Sequence, residues 1–326
     1  FFSHIEWLMY AFLDFKSLFI TYLVRQGSAF FAILVYYLLF GKTTLETLVI
    51  IYSGGILLGT IIGFFCIKKV FSFKFIFSGY WIKELWNFGK YVFGSNVSNL
   101  IFKNADQLLL SNISANPGIV ASLNISRRII NIADIPSQIT GDIMFPKSSR
   151  PELSSNLSKT KYYYEKAVGS TLSVIMPILL VLLLFPKLLI LLIAGREYFD
   201  AIPYLRLIAF SIFSQAFLKQ FGVIMDSVGY PHINFKIITV IAISMVIFCL
   251  LFIPHYHLMG AAYALIATHI LAFTISMIVL HRYFKISIIN TLRYCISFYP
   301  EMFHIFKNML VKKSGVVLDS TKKQAV

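Results

Sequence analysis

Apolar runs of about helix-spanning length, separated by short polar connections, dominate the chain up to about residue 285. Residues 47–67, 167–186 and 237–254 hold no charged residue, and 258–280 holds only His269. A bilayer core of ~30 Å takes about 20 apolar residues as helix, and such runs are too long and too bare for the core of a soluble domain. In hydrocarbon the backbone must satisfy its own hydrogen bonds, so helices are the expected form. The pattern therefore predicts an all-α, polytopic membrane helix bundle with about eight transmembrane helices. They fall near 20–41, 45–67, 88–113, 117–145, 166–186, 201–225, 235–254 and 258–281. Most connections carry Gly, Pro or Asn, as in "SANPG", "SVGYPHIN" and "IPHYH". Residues 146–165 form a longer polar loop. Beyond about 285 the pattern becomes amphipathic and basic, which predicts a tail without a core of its own, lying at the membrane surface and partly disordered.

Composition agrees: 58% of the 326 residues are hydrophobic, 13% are charged, and the mean hydropathy is +0.78. Soluble domains run near a quarter charged. The chain begins with Phe1 inside an apolar stretch and has no basic leader or small-residue cleavage pattern, so it is expected to start within a segment already under way. The net charge of +15 is unevenly placed. Alternate connections on one side carry Lys16, Arg25, Lys68, Lys69, Lys74, Lys83, Lys90, a cluster in 147–166, Lys236 and the basic tail, whereas the other side carries Lys42, Lys187 and Arg196. By the positive-inside rule the first side, including the C-terminus, is cytoplasmic. The charge thus reads as a topology signal, with attraction to anionic lipid second. A nucleic-acid partner would need a basic face on a soluble module, and none is visible.

Basic residues inside the spans change the picture. Lys103, Arg127, Arg128, Arg206 and Lys219 all fall within predicted helices. A charge at the centre of a membrane helix costs about 2.5–3.5 kcal/mol on insertion scales, so these side chains must face protein or water. Asn96, Asn99, Lys103 and Asp106 recur at helical spacing on one face. Asn124, Arg128, Asn131, Gln138 and Asp142 line a second, with Arg127 and Asp134 at its margins and Ile125, Ile129 and Ile132 off it. The "SANPG" turn makes the two helices an antiparallel hairpin. Two arrangements satisfy the pattern: a buried network with Lys103 on Asp106 and Arg128 on a carboxylate across the hairpin, or a hydrophilic cavity with cations left for an anionic ligand. Pro136 interrupts the second helix and permits a bend, and Pro177 does the same more weakly.

Other chemistry is thinly represented. There is no Asp-x-Asp for a metal-dependent glycosyltransferase, and no large external loop of the kind expected in a polysaccharide polymerase. The histidines are scattered, and His255 and His257 alone make a weak metal site. Cys66, Cys249 and Cys295 lie far apart and read as buried thiols. The stretch "YSGGILLGTIIG" is a small-residue helix face rather than a phosphate loop. No cofactor and no catalytic residue is expected.

"IEWLMYAFLDFKSLFITYLVRQ" at 5–26, "LWNFGKYVFGSNVSNLIFKNADQLLLSNI" at 85–113 and "DIMFPKSSR" at 142–150 resemble segments of the bacterial polysaccharide flippases, among them the O-antigen translocases. That family shares a superfamily with multidrug exporters and peptidoglycan-precursor flippases. The resemblance implies a piece of a two-bundle transporter of about twelve helices around a central cavity. Residues 1–75 would be the end of an N-terminal bundle truncated at its start, 76–284 a C-terminal six-helix bundle, and 285–326 the basic cytoplasmic tail. It also implies an undecaprenyl-pyrophosphate-linked oligosaccharide as substrate, moved across the bacterial inner membrane for O-antigen, lipopolysaccharide, capsule or exopolysaccharide assembly. Membrane lipids, a polysaccharide polymerase and the chain-length machinery would be its partners. Arg127, Arg128 and Lys103 would then hold pyrophosphate, and Asn96, Asn99, Asn124, Asn131 and Gln138 the sugar. Asp106, Asp134 and Asp142 would be proton-coupling groups or structural partners. The rival within the superfamily is a multidrug or small-cation exporter, which would favour buried carboxylates and aromatics over cavity cations.

Overall fold

A computed structural model describes residues 2–68, 78–114, 116–149 and 156–300. The described chain is helical throughout and forms two compact units, Phe1–Trp81 and Ile82–Val326.

In the first unit, α1 (Phe2–Ala11), α2 (Phe15–Phe40) and α3 (Leu45–Ile67) pack on one another. Asp14 caps α2 by accepting a 3.1 Å bond from the Ser17 N–H, and Thr44 caps α3 in the same way through Thr47. Gly41 closes α2 in the left-handed conformation, φ 67°. The small-residue face read from the sequence is a helix contact. A Cβ at Gly55 would lie 2.8 Å from the Arg25 carbonyl, and one at Gly59 2.8 Å from the Arg25 Cβ. Because α2 begins at Phe15 rather than near residue 20, Arg25 lies well inside the helix. Its guanidinium lies 4.6 Å from the Phe2 ring centroid and 4.8 Å from that of Tyr22, so aromatic faces offset part of its charge.

The second unit contains α4 (Gly79–Ile113), α5 (Pro117–Ala133), α6 (Ile135–Ser148), α7 (Leu157–Leu184), α8 (Pro186–Ile193), a 3-10 turn (Arg196–Ala201), α9 (Ile202–Ala209), α10 (Ser211–Ser227) and α11 (Pro231–Phe284). Each expected span is present as helix. Four stretches among the described residues are long and apolar enough to cross a bilayer: α2, α3, α7 and α11. The pair Arg196–Ala209 and Ser211–Ser227, bent by 49°, forms a further broken span. The 54 residues of α11 are two antiparallel spans, because His257 takes φ 48°, ψ −120° and turns the chain back. Met245 faces Thr268 across this hairpin, and Gly260 lets the second arm start against the first: a Cβ there would lie 2.3 Å from the Phe252 carbonyl oxygen. Helix α4 is long enough to cross a bilayer but is not among these apolar spans, and α5 and α6, 17 and 14 residues long, are each too short to cross alone.

Helix α10 is the centre of this unit. It packs on α6, α7 and α11 and buries Ile212, Ala216, Phe217, Phe221, Ile224 and Met225. Its backbone and side chains also anchor neighbours, with Tyr164 of α7 donating to the Phe217 carbonyl at 3.1 Å and Ser148 of α6 donating to Ser227 at 2.6 Å. Packing of α6 against this central helix fixes where α6 places its polar side chains.

The start of the expected surface tail differs from the sequence reading. Residues 288–300 form a helix that runs alongside α7. Glu165 accepts the Ser287 N–H at 2.8 Å, and Tyr299 donates to the Ser173 carbonyl at 2.6 Å. At Gly169 between them a Cβ would lie 2.6 Å from that of Tyr294. Thr291 and Cys295 are buried in this contact. The amphipathic pattern at 288–300 thus reflects packing on a neighbouring helix, while 301–326 lies outside the described residues.

Candidate functional site

The site is built on the α4–α5 hairpin and the break between α5 and α6. Asn116 caps α5 by accepting the Gly118 N–H at 2.9 Å, with Pro117 at the first helical position, so these residues start the return helix. Pro136 has no N–H to continue the helix, and the residue before a proline disfavours the helical region. The structure breaks two residues earlier, where Asp134 ends α5 and begins α6. Pro177, by contrast, stays within an unbroken α7.

Two ion pairs flank this break. Asp106 on α4, with a fully buried side chain, is paired with Arg127 on α5, whose side chain is 21% exposed. The same carboxylate oxygen accepts the Gln107 N–H at 2.9 Å, and the other oxygen is buried with no hydrogen-bond partner. Asp134, at the break, is paired with Lys219 on α10 and likewise has one buried oxygen without a partner. Lys103 stands within electrostatic range of this second pair. Of the two arrangements the sequence leaves open, the buried network is present with other partners: Asp106 is held by Arg127, not by Lys103, and Asp134 is held by Lys219. In the sequence Lys219 is visible only as a mid-span lysine, and a lysine at that depth requires a carboxylate partner. Gln220, beside it, carries no signal in the sequence at all. Its amide N–H donates to the Ser137 carbonyl at 3.0 Å and ties α10 to the first turn of α6.

The remaining predicted residues separate from the carboxylates. Arg128, Asn131, Gln138 and Asp142 are exposed, as are Asn96 and Lys103, while Asn99 and Asn124 are half-buried. Adjacent helical residues point about 100° apart, which is why Arg127 reaches Asp106 and Arg128 faces outward. Among the described residues Arg128 makes no ion pair. The exposed stripe also includes Ile132 at 60% and Ile139 at 53%, so Ile132 does not belong with Ile129, which is 4% exposed. The polar face of α4 divides similarly, with Ser95, Ser98 and Asp106 inward and Asn96 and Lys103 outward. Ser98 meets Thr239 of α11 at 3.0 Å. Among the described residues no group of three His, Cys, Asp or Glu is placed to hold a metal ion.

This arrangement predicts a periodic pattern of reactivity. Single cysteines at Asn131 and Gln138 should react with a small hydrophilic thiol reagent in membranes, while those at Ile129 and Ile130 should be protected. Equal protection of all four would place the exposed stripe against lipid or protein rather than water.

The profile of a family described as polysaccharide biosynthesis protein matches residues 3–203. An uncharacterized membrane protein of Methanocaldococcus jannaschii is 26% identical over 206 residues, which is 62% of this chain and 41% of that protein. The chain thus spans less than half the length of that relative. Among solved structures, a multidrug resistance transporter of the MATE family and MOP superfamily, in an outward-facing conformation, superposes with a TM-score of 0.65. That match is 15% identical and covers 82% of this chain and 63% of the transporter, a likeness of fold.

Proposed function

This chain belongs to the polysaccharide biosynthesis protein family, and from that premise we propose that it translocates a polyprenyl-pyrophosphate-linked oligosaccharide across a membrane. The fold is that of a transporter of the MOP superfamily, a multi-pass membrane protein rather than an enzyme. The observation that carries the substrate class is the division of charge at the hairpin. Asp106 and Asp134 are buried and tied to Arg127 and Lys219, while Arg128 and Lys103 are exposed among exposed amides. Asp142 is exposed but already engaged in an interaction of its own. A surface with cations open and carboxylates closed suits an anionic headgroup.

The chemistry of such a substrate matches the remaining features. Its polyprenyl tail stays in lipid, so only the pyrophosphate and sugar need shelter. Arg128 offers paired donors to phosphate oxygens, and Lys103 a point charge. Asn96, Asn99, Asn124, Asn131 and Gln138 supply donors and acceptors for hydroxyls. In the bacterial version the carrier is undecaprenyl, the membrane is the inner membrane, and the basic connections and C-terminus are cytoplasmic. A polymerase and chain-length machinery would then take up the delivered repeat unit.

A multidrug or small-cation exporter would require the opposite exposure of charge. The two assignments separate in one experiment on the protein in lipid nanodiscs. Binding of a labelled undecaprenyl-pyrophosphate oligosaccharide should be saturable, weakened by salt and competed by geranylgeranyl pyrophosphate. Preferential binding of a quaternary ammonium compound would favour the exporter.

A further inference from the structure

We propose that the break between α5 and α6 and the bend between α9 and α10 work as one composite hinge, and that His269 is the positioning residue that sets its angle. This device adds to the substrate assignment above and does not depend on it. Helix α9 packs on α5, and α10 packs on α6, so the two broken helices lie side by side in the same direction. They are joined on both sides of their interruptions. Tyr204 of α9 stands within electrostatic range of Arg127 on α5. Beyond the bend, Lys219 of α10 holds Asp134 at the break, and the Gln220 amide donates to the Ser137 carbonyl of α6 at 3.0 Å. Close-packed faces do not slide freely, so a change of angle at one interruption has to be shared by the other. Lys219 lies about 12 Å along α10 from Ser211, and a change of about 20° in the bend displaces it by about 4 Å. The pair with Asp134 survives that displacement only if α6 follows.

Hydroxyls hold the bend. A helix without proline or glycine bends where side chains enter its hydrogen-bond ladder. Here the Ser211 hydroxyl donates to the Ile208 carbonyl at 2.6 Å, and the Gln215 amide donates to the Ser211 hydroxyl at 3.3 Å. The Ser214 hydroxyl lies 2.9 Å from the Ser211 carbonyl and 2.8 Å from Nδ1 of His269, which comes from the second arm of α11. A serine hydroxyl has one proton, so these two bonds compete unless the ring supplies another. With a proton on Nδ1, His269 donates to Ser214, and Ser214 donates to the Ser211 carbonyl inside the bent turn. With Nδ1 bare, Ser214 donates to the ring and the bond that bends the helix is withdrawn. His269 is buried, and the Phe102 ring of α4 stands edge-on to it at 5.7 Å, so the imidazole is held in place while the hydroxyl turns. It makes neither of the ion pairs at the hairpin, and its route to them is through Ser214 and the angle of α10.

The test measures two distances by pulsed electron resonance on the protein in nanodiscs, with Cys66, Cys249 and Cys295 replaced by alanine. One pair of spin labels, on cysteines at Asp200 and Tyr230, spans α9 and α10. The other, at Pro117 and Lys147, spans α5 and α6. Straightening a 49° bend between helices of 8 and 17 residues lengthens the first distance by up to about 3 Å. His269→Leu should lengthen both distances in step. His269→Asn, whose amide N–H can stand in for the Nδ1 proton, should keep them native. Ser214→Ala removes the same bond without touching the ring, should repeat the His269→Leu shift, and serves in its place if that variant folds poorly. A longer first distance with the second unchanged overturns the composite hinge. Native distances in both His269→Leu and Ser214→Ala, or equal shifts in His269→Leu and His269→Asn, overturn the role of His269. No substrate enters the measurement, so neither result bears on the anionic-substrate assignment.

Discussion

Replacing Arg127 with alanine is expected to destabilise the protein by about 3–5 kcal/mol, because it removes the one cation paired with the buried Asp106 carboxylate among the described residues. The side chain of Asp106 has no exposure, and its hydrogen bond from the Gln107 N–H cannot balance a full charge. The loss should appear as a lower melting temperature in detergent and as reduced protein level in cells. Adding Asp106→Asn should restore most of it, since a neutral amide needs no counter-charge. For the same reason the deficit of Arg127→Ala should shrink as the pH falls and Asp106 takes up a proton. A melting temperature unchanged by Arg127→Ala would show that the pair contributes nothing to the fold.

Arg128→Ala, one residue away, should behave in the opposite way. Its side chain is exposed and makes no ion pair among the described residues, so melting temperature and protein level should stay near native. Binding of the pyrophosphate probe should weaken at least about tenfold, as expected for loss of a charge-assisted contact. Arg128→Lys should recover only part of that, because an ammonium cannot make the paired contact of a guanidinium. Surface polysaccharide should be lost in Arg128→Ala and largely retained in the lysine variant. Degradation of Arg128→Ala would instead give Arg128 a structural role.

The contrast between these two arginines shows what periodicity can and cannot reveal. Runs such as 47–67 and 237–254 are legible because hydrocarbon sets both their length and their composition. Helical spacing places Arg127 at the margin of a polar face and Arg128 on it. It cannot say that the margin turns toward α4, because that depends on how the hairpin is rotated. The Asp134–Lys219 pair joins residues 85 positions apart and depends on α10 lying against the break. Its register follows from Phe217, Phe221 and their neighbours packing at the centre, not from any local signal. Local chemistry is more informative at Asn116-Pro117, where the cap and the turn coincide, and at "IPHYH", where the chain does reverse. The bend between α9 and α10 has no proline or glycine to announce it. The helix at 288–300 misleads for a physical reason: an amphipathic face fits a membrane surface or a neighbouring helix equally well, and here it meets Gly169 of α7.

The central claim is that the open cations of the α4–α5 hairpin serve the movement of an anionic, lipid-linked sugar. The most direct measurement reconstitutes the protein in liposomes with a fluorescent polyprenyl-pyrophosphate oligosaccharide and follows how fast a membrane-impermeant quencher gains access to the inner-leaflet pool. The account predicts protein-dependent exchange that is lost in Arg128→Ala and indifferent to organic cations. Exchange at the same rate with Arg128→Ala, or movement of organic cations with none of the lipid-linked sugar, would contradict it.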